Sequence, residues 1–219
     1  MKKVKLKINN IEIDAKEGES LLKVCLENGI YVPNLCYLKN VDPPRAACRM
    51  CFVEIDGEPL PVTACTTKVK EGMVVFTDTE KVKNLQKWGL ELLLSTQEDL
   101  EEIDENNELK KIANYLGVEL KLNHLEFIPR ETNIDFNTNA HPYIEYDYKK
   151  CILCGRCVEI CKKLNRDYHI DFGKRGYNTV ITFFEKKEIS DSHCQGCLAC
   201  VKVCPVGALK GKIKGKDAG

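Results

Sequence analysis

The sequence predicts an α+β chain. A small sheet carrying one helix comes first, a helical stretch follows, and a module built on a cysteine repeat comes last. Three observations predict this order. Apolar residues alternate with period two at the start of the chain, and from Glu80 the apolar period becomes helical. Further on, Cys151-x2-Cys154-x2-Cys157-x3-Cys161 recurs 43 positions later as Cys194-x2-Cys197-x2-Cys200-x3-Cys204.

Lys2 to Ile8 alternate as a half-buried strand, Asn9-Asn10 is a turn signal, and Ile11-Glu12-Ile13 alternates again, so a hairpin is expected. Ser20 is placed to cap a short helix over Leu21 to Asn28, closed by Gly29. Cys25 falls among Leu21, Leu22 and Val24 and reads as core packing. Residues 30–50 hold Pro33, Pro43 and Pro44 and read as a loop. Phe52–Ile55, Val62–Ala64 and Met73–Phe76 read as further strands. Val82, Leu85, Trp88, Leu92 and Leu93 predict one helical face, and Leu109, Ile112, Ala113 and Leu116 a second, ended by Gly117. Glu98 to Glu108 holds seven acidic residues and reads as a solvated segment. Residues 118–147 read as irregular. The lysines at 210, 212, 214 and 216 read as a flexible tail.

The chain has 219 residues, with 33 basic and 33 acidic side chains and a formal net charge of zero. That balance argues against a nucleic-acid or anionic-membrane binder. No apolar run approaches a membrane span, and the basic start Met1–Lys5 alternates rather than opening an apolar block, so neither an anchor nor a signal peptide is expected. A lysine-rich chain of this kind is expected in the cytoplasm, where thiols stay reduced. Its 13 cysteines then read as metal ligands rather than disulfides.

Thiolates suit iron–sulfur clusters, because soft anionic sulfur matches iron and bridging sulfide. Three cysteines spaced by two residues can wrap one [4Fe–4S] cubane from a single loop, and the fourth corner is closed by the last cysteine of the other run. One cubane is thereby assigned to Cys151, Cys154, Cys157 and Cys204, the other to Cys161, Cys194, Cys197 and Cys200. Gly155 and Gly196 let backbone approach the sulfurs. Pro205 follows the last ligand as in bacterial two-cluster proteins, whereas Lys162 stands where the first run would carry its proline. Zinc sites use separated cysteine pairs and do not match these triples. Nearer the N-terminus, Cys36, Cys48, Cys51 and Cys65 are spaced x11, x2, x13 and read as [2Fe–2S] ligands, with Ala46 and Ala47 suiting a tight loop. A four-cysteine zinc site is the alternative for this set. Twelve cysteines are then assigned and Cys25 is left over.

Several stretches resemble one family: Pro33-Asn34-Leu35-Cys36-Tyr37, Cys48-Arg49-Met50-Cys51-Phe52-Val53-Glu54, Thr63-Ala64-Cys65, Cys151 to Cys157, and Cys204-Pro205-Val206-Gly207-Ala208-Leu209. The family comprises the diaphorase small subunit of NAD-linked hydrogenases, the N-terminal region of iron-only hydrogenases, and the same region of the large iron–sulfur subunit of complex I. The resemblance implies a β-grasp [2Fe–2S] ferredoxin domain over 1–78, a helical and irregular linker over 79–141, a bacterial-ferredoxin-like domain with two [4Fe–4S] clusters over 142–210, and a tail over 211–219. Those relatives hold a further middle cluster on His-x3-Cys-x2-Cys-x5-Cys. Here Thr96, Leu100, Ile103 and Leu109 fall on those positions, and no cysteine lies between Cys65 and Cys151, so the middle cluster is expected to be absent. His124, His141 and His169 read as surface or loop residues rather than ligands. So does His193, although it abuts Cys194 and could tune that cluster.

The family implies an electron-transfer subunit of a cytosolic NAD(P)-linked complex, electron-bifurcating ones included, such as a hydrogenase or formate dehydrogenase. Its partners would be a flavin- and NAD(P)-binding subunit and a second redox subunit. No nucleotide-binding glycine turn, phosphate loop or nucleophile–base pair stands out, so no catalytic residue is assigned. A freely diffusing ferredoxin-type carrier is the alternative. A redox sensor is a weaker one, since neutral charge offers no recognition surface.

Overall fold

The computed structural model describes residues 2–97, 107–120, 141–164, 169–183 and 194–212. They fall into two compact units. The first comprises Met1–Leu93 with Leu109–Leu120, the second Leu94–Glu108 with Lys121–Gly219.

In the first unit, β1 (Lys3–Ile8) and β2 (Ile11–Lys16) form an antiparallel hairpin. Asn9 and Asn10 both take positive φ (49° and 67°), the conformation a two-residue hairpin turn demands. Val4, Leu6 and Ile8 are buried on one side of β1. The chain then enters α1 (Leu21–Glu27) and, after the long loop, β3 (Phe52–Ile55), β4 (Val62–Thr63) and β5 (Val74–Phe76). The sheet order is β2-β1-β5-β3-β4, with β5 parallel to β1 and antiparallel to β3. This mixed sheet, with α1 supplying core residues, is the β-grasp arrangement. Leu21, Leu22, Val24 and Cys25 of α1 join Leu6, Ile8, Val53 and Val75 in one core. Burying each large aliphatic side chain contributes about 2 kcal/mol.

Ser20 stands at the start of α1 but makes no side-chain cap. The first N–H groups of the helix donate instead to backbone carbonyls, Leu21 to Thr67 (2.8 Å) and Leu22 to Ala64 (3.0 Å). The Ser20 hydroxyl is thereby released to donate to the carbonyl of Cys65 (3.0 Å).

Two more helices follow, α2 (Glu80–Leu94) and α3 (Glu108–Leu116). All four apolar residues expected on the α3 face are buried, and Gly117, at φ 64°, ends the helix as expected. The face of α2 is not the expected one. Val82, Gln86, Leu90 and Leu94 are buried, while Trp88 and Leu92 are 63% and 62% exposed. The physical reason is the loop that α2 lies on. A Cβ at Gly89 would stand 3.3 Å from the Met50 sulfur, and Gln86 Nε2 donates to the Phe52 carbonyl at 3.2 Å. A glycine and a glutamine therefore occupy the inner face, and neither registers in an apolar pattern.

In the second unit, β6 (Ile144–Tyr146) pairs antiparallel with β9 (Leu209–Gly211). Between them come α4 (Arg156–Leu164), the hairpin of β7 (Ile170–Gly173) and β8 (Val180–Phe183), and α5 (Ala199–Lys202). Residues 118–147 are thus not wholly irregular, since β6 lies there, and the lysine-rich segment begins inside β9. The rest of that segment, from residue 213, lies outside the described residues. So does the acidic run apart from Glu108, together with Leu100, Ile103, His124 and His193. Of the two positions from the expected vestigial site that are described, Leu109 is fully buried in α3 and Thr96 is half-buried. Among the described residues no helix is long and apolar enough to cross a membrane.

Candidate metal centres

The first unit brings Cys36, Cys48, Cys51 and Cys65 together. Left-handed turns at Ala46 (φ 54°) and Arg49 (φ 55°) coil the loop that carries Cys48 and Cys51. The Leu35 N–H points at Cys48 Sγ (3.4 Å), and the Ala64 N–H donates to the Cys51 carbonyl (2.8 Å), tying the loop to the segment that bears Cys65. Cys48 is hydrogen-bonded to Cys36, and Cys51 to Cys65; these bonds, with burial, raise the Cys48 and Cys51 thiols. The Cys51 bond lowers Cys65, with help from the Arg49 charge. Cys25 is fully buried in the core that also holds Cys51 and Cys65, and burial pushes its thiol up to about 12.

The second unit sorts its eight cysteines into two groups. Cys151, Cys154, Cys157 and Cys204 line one cavity together with Tyr146 and Ile181. Cys151 and Cys204 are also the cysteines that act electrostatically on both Cys154 and Cys157. Cys194 and Cys200 interact with Cys161 and Cys197. Cys204 thus lines the cavity of the earlier run, and Cys161 acts on Cys194 and Cys200 of the later one. Burial raises the Cys154 and Cys200 thiols to about 12, and raises Cys157 and Cys194 as well.

The 43-residue repeat is a repeat of backbone shape. Leu153 and Gly196 occupy the same place in their runs, and both have positive φ (53° and 66°). Gly155 and Leu198 occupy the same place two residues on, again both positive (76° and 55°). The Leu153 N–H donates to Cys151 Sγ at 3.4 Å, and the Gly196 N–H makes the matching bond to Cys194. Each loop therefore coils the same way and turns an equivalent amide onto an equivalent sulfur. A left-handed leucine costs about 1 kcal/mol, so the shape is held against a local penalty in both loops.

His141 lies in the loop that leads into β6, one of the two places expected for it, but not at the surface. It is buried, and its Nδ1 accepts the N–H groups of Tyr143 (3.2 Å) and Ile144 (3.1 Å) at the start of β6. Only its position ten residues before Cys151, and its neighbour Pro142, were visible in the sequence. His169 is half-buried at the foot of β7.

Among the described residues, no three histidine, cysteine or acidic side chains converge on one point as the ligands of a single ion do. The donor chemistry fits iron–sulfur clusters. Each set is four cysteine sulfurs, buried or half-buried except for Cys197, with backbone amides aimed at the sulfurs of Cys48 and Cys151. Binding iron would replace the thiol protons and release them to solvent.

This is an iron–sulfur protein with an N-terminal cluster domain and a C-terminal ferredoxin-like one. Residues 1–80 match the family described as 2Fe-2S iron-sulfur cluster binding domain, and residues 141–210 match that described as NADH-quinone oxidoreductase subunit 3, ferredoxin-like domain. The chain is 32% identical over 215 residues to the probable oxidoreductase YjgC of Bacillus subtilis, covering 97% of this chain and 21% of that one. It is 32% identical to the NADPH-Fe(3+) oxidoreductase subunit alpha of Geobacter sulfurreducens (95% and 24%) and 31% identical to the NADP-reducing hydrogenase subunit HndD of Solidesulfovibrio fructosivorans (91% and 35%). The chain thus spans between a fifth and about a third of the length of these relatives. A crystal structure of an NAD+-reducing [NiFe]-hydrogenase contains a chain with the same fold, at TM-score 0.81 and 23% identity, covering 99% of this chain and 90% of that one.

Proposed function

We propose that the protein is an electron-transfer subunit of a cytoplasmic NAD(P)-linked oxidoreductase complex. It would hold one [2Fe–2S] cluster on Cys36, Cys48, Cys51 and Cys65. Two [4Fe–4S] clusters would be held on Cys151, Cys154, Cys157 and Cys204, and on Cys161, Cys194, Cys197 and Cys200. The single observation that carries this reading is the cavity lined together by Cys151, Cys154, Cys157 and Cys204, and the mutual influence of the remaining paired cysteines supports it. When bound, the clusters supply one-electron redox chemistry whose potentials follow hydrogen bonding to the sulfurs and solvent exposure.

The chain's own part is to bury, orient and tune. The first cubane set lies in an apolar cavity, whereas Cys197 of the second is exposed. Within the C-terminal unit, that exposed edge favours the second cubane as the point of exchange with a partner. The partners proposed are a flavin- and NAD(P)-binding subunit and a second redox subunit, by analogy with the relatives' names. The test is anaerobic reconstitution followed by iron and acid-labile sulfide analysis. About ten irons per chain, with signals of one binuclear and two cubane clusters, are expected. Tightly bound zinc without sulfide would overturn the reading. Affinity capture from cells grown without oxygen is expected to bring down a flavoprotein, whereas a monomer that reduces many acceptors would favour a diffusing carrier.

A further inference from the structure

The two cluster loops of the C-terminal unit share one backbone shape but not one set of side chains. At the first shared left-handed position the earlier loop carries Leu153 and the later one Gly196. Conformation alone does not require a glycine there, since Leu153 adopts the same region. What differs is the space. A Cβ at Gly196 would stand 2.8 Å from both Cγ and Cδ1 of Tyr143, closer than any real contact allows. The Tyr143 ring occupies the room that a side chain takes in the other loop.

Tyr143 is itself held on both sides. Its N–H donates to Nδ1 of buried His141 (3.2 Å), and its carbonyl accepts from the Lys212 N–H (2.9 Å). Because Nδ1 also accepts from Ile144 (3.1 Å), the imidazole proton belongs on Nε2. His141 therefore fixes the backbone from which the ring projects, and the ring lies against the peptide whose N–H bonds to Cys194. Two residues further along the same loop, Leu198 lies against Gly211, where a Cβ would meet its Cδ1 at 3.2 Å. The loop is thus pinned to the β6–β9 ribbon at two points.

We propose that His141 and Tyr143 are a positioning pair for the second cubane: His141 sets the β6 entry, and the Tyr143 ring holds the Gly196 peptide onto Cys194 Sγ. This rests on the cluster assignment proposed above. An N–H···S bond and a covering ring both act on a cluster's potential and on its access to water and oxygen. Neither residue is among those lining the cavity of the earlier sulfur set, so the larger effect is expected at the second cubane.

The test uses the full chain, reconstituted anaerobically, with the two cubanes distinguished by their spectra in C204A and C161A. Y143A is expected to shift the potential of the second cubane and to speed its loss in air about fivefold, while the first cubane and the [2Fe–2S] centre keep wild-type values. Y143F keeps the ring and is expected to behave as wild type. H141A is expected to move the second cubane in the same direction, and H141N, whose Oδ1 can accept the same two N–H groups, to restore it. Wild-type potential and air lability of the second cubane in Y143A would overturn the proposal, as would an equal loss at both cubanes. A wild-type chain with no second cubane would overturn the cluster assignment and this proposal together. A cubane pair present in wild type and indifferent to Y143A overturns this proposal alone.

Discussion

Replacing Cys204 with alanine tests the crossed cubane assignment at its most exposed assumption. Cys204 lines the cavity formed by Cys151, Cys154 and Cys157, and Cys161 interacts with Cys194 and Cys200. If each run were self-contained, Cys204 would serve the later set and Cys161 the earlier one. The crossed geometry therefore reverses which cluster each substitution damages. C204A is expected to remove up to about four of about ten irons, or to leave a three-iron remnant on Cys151, Cys154 and Cys157. C161A is expected to do the same to the other cubane. The pairwise combinations sharpen the expectation. C204A with C151A should lose no more iron than C204A with intact Cys151 beyond that one cluster, because both serve a single site, whereas C161A with C151A should lose both cubanes. Iron analysis and low-temperature electron paramagnetic resonance on anaerobic samples give the answer. Loss of both clusters in C204A with C151A, alongside loss of one in C161A with C151A, would refute the crossing.

Further expectations follow from buried groups outside the ligand sets. Gln86 is fully buried, donates to the Phe52 carbonyl, and leaves its Oε1 without a hydrogen-bond partner among the described residues. Gln86→Leu removes the unpaired oxygen but takes the donor from the Phe52 carbonyl, and the two desolvation costs, about 1–3 kcal/mol each, offset, so thermal unfolding should show a change within about 1 kcal/mol. A loss above about 2 kcal/mol would show that the amide oxygen is satisfied. The Cys25 thiol, raised to about 12 by burial, stays protonated as pH rises through the ordinary thiol range. Iodoacetamide at about pH 9 should leave Cys25 unlabelled in the folded holoprotein and label it after denaturation; labelling at the rate of a free thiol would contradict its burial. Gly196→Ala should weaken the second cubane in the wild-type background but add little to Y143A, because the ring that its Cβ would meet is then gone. Simple additivity of the two substitutions would break the link between them.

The cysteine spacing made most of the candidate site legible, because ligation by one loop fixes the interval between thiolates whatever surrounds them. The first hairpin and α3 were legible for similar local reasons: Asn9-Asn10 states its turn, and four apolar residues at helical intervals meet a closing glycine. The face of α2 was hidden because Gly89 and Gln86 touch the loop below through absence of a side chain and through a polar amide. The pairing of β6 with β9 and the β7–β8 hairpin join short strands of three or four residues, too brief to show a period. His141 gave no signal, since its partners are backbone N–H groups supplied by the turn that it helps to make. The division of the repeat into one left-handed leucine and one left-handed glycine per loop was written in the residues, but Tyr143, which explains it, lies 53 positions from Gly196.

The β6–β9 ribbon bears on how the protein is made. β6 precedes all eight cysteines of its unit and β9 follows them, so the strand that closes the module is synthesised after every ligand. On the ribosome, β6 waits unpaired while the ligand loops emerge, and such non-local pairing is slow to form. The closing strand thus emerges only after every thiol of this unit, and until it does the nascent thiols depend on a reducing environment.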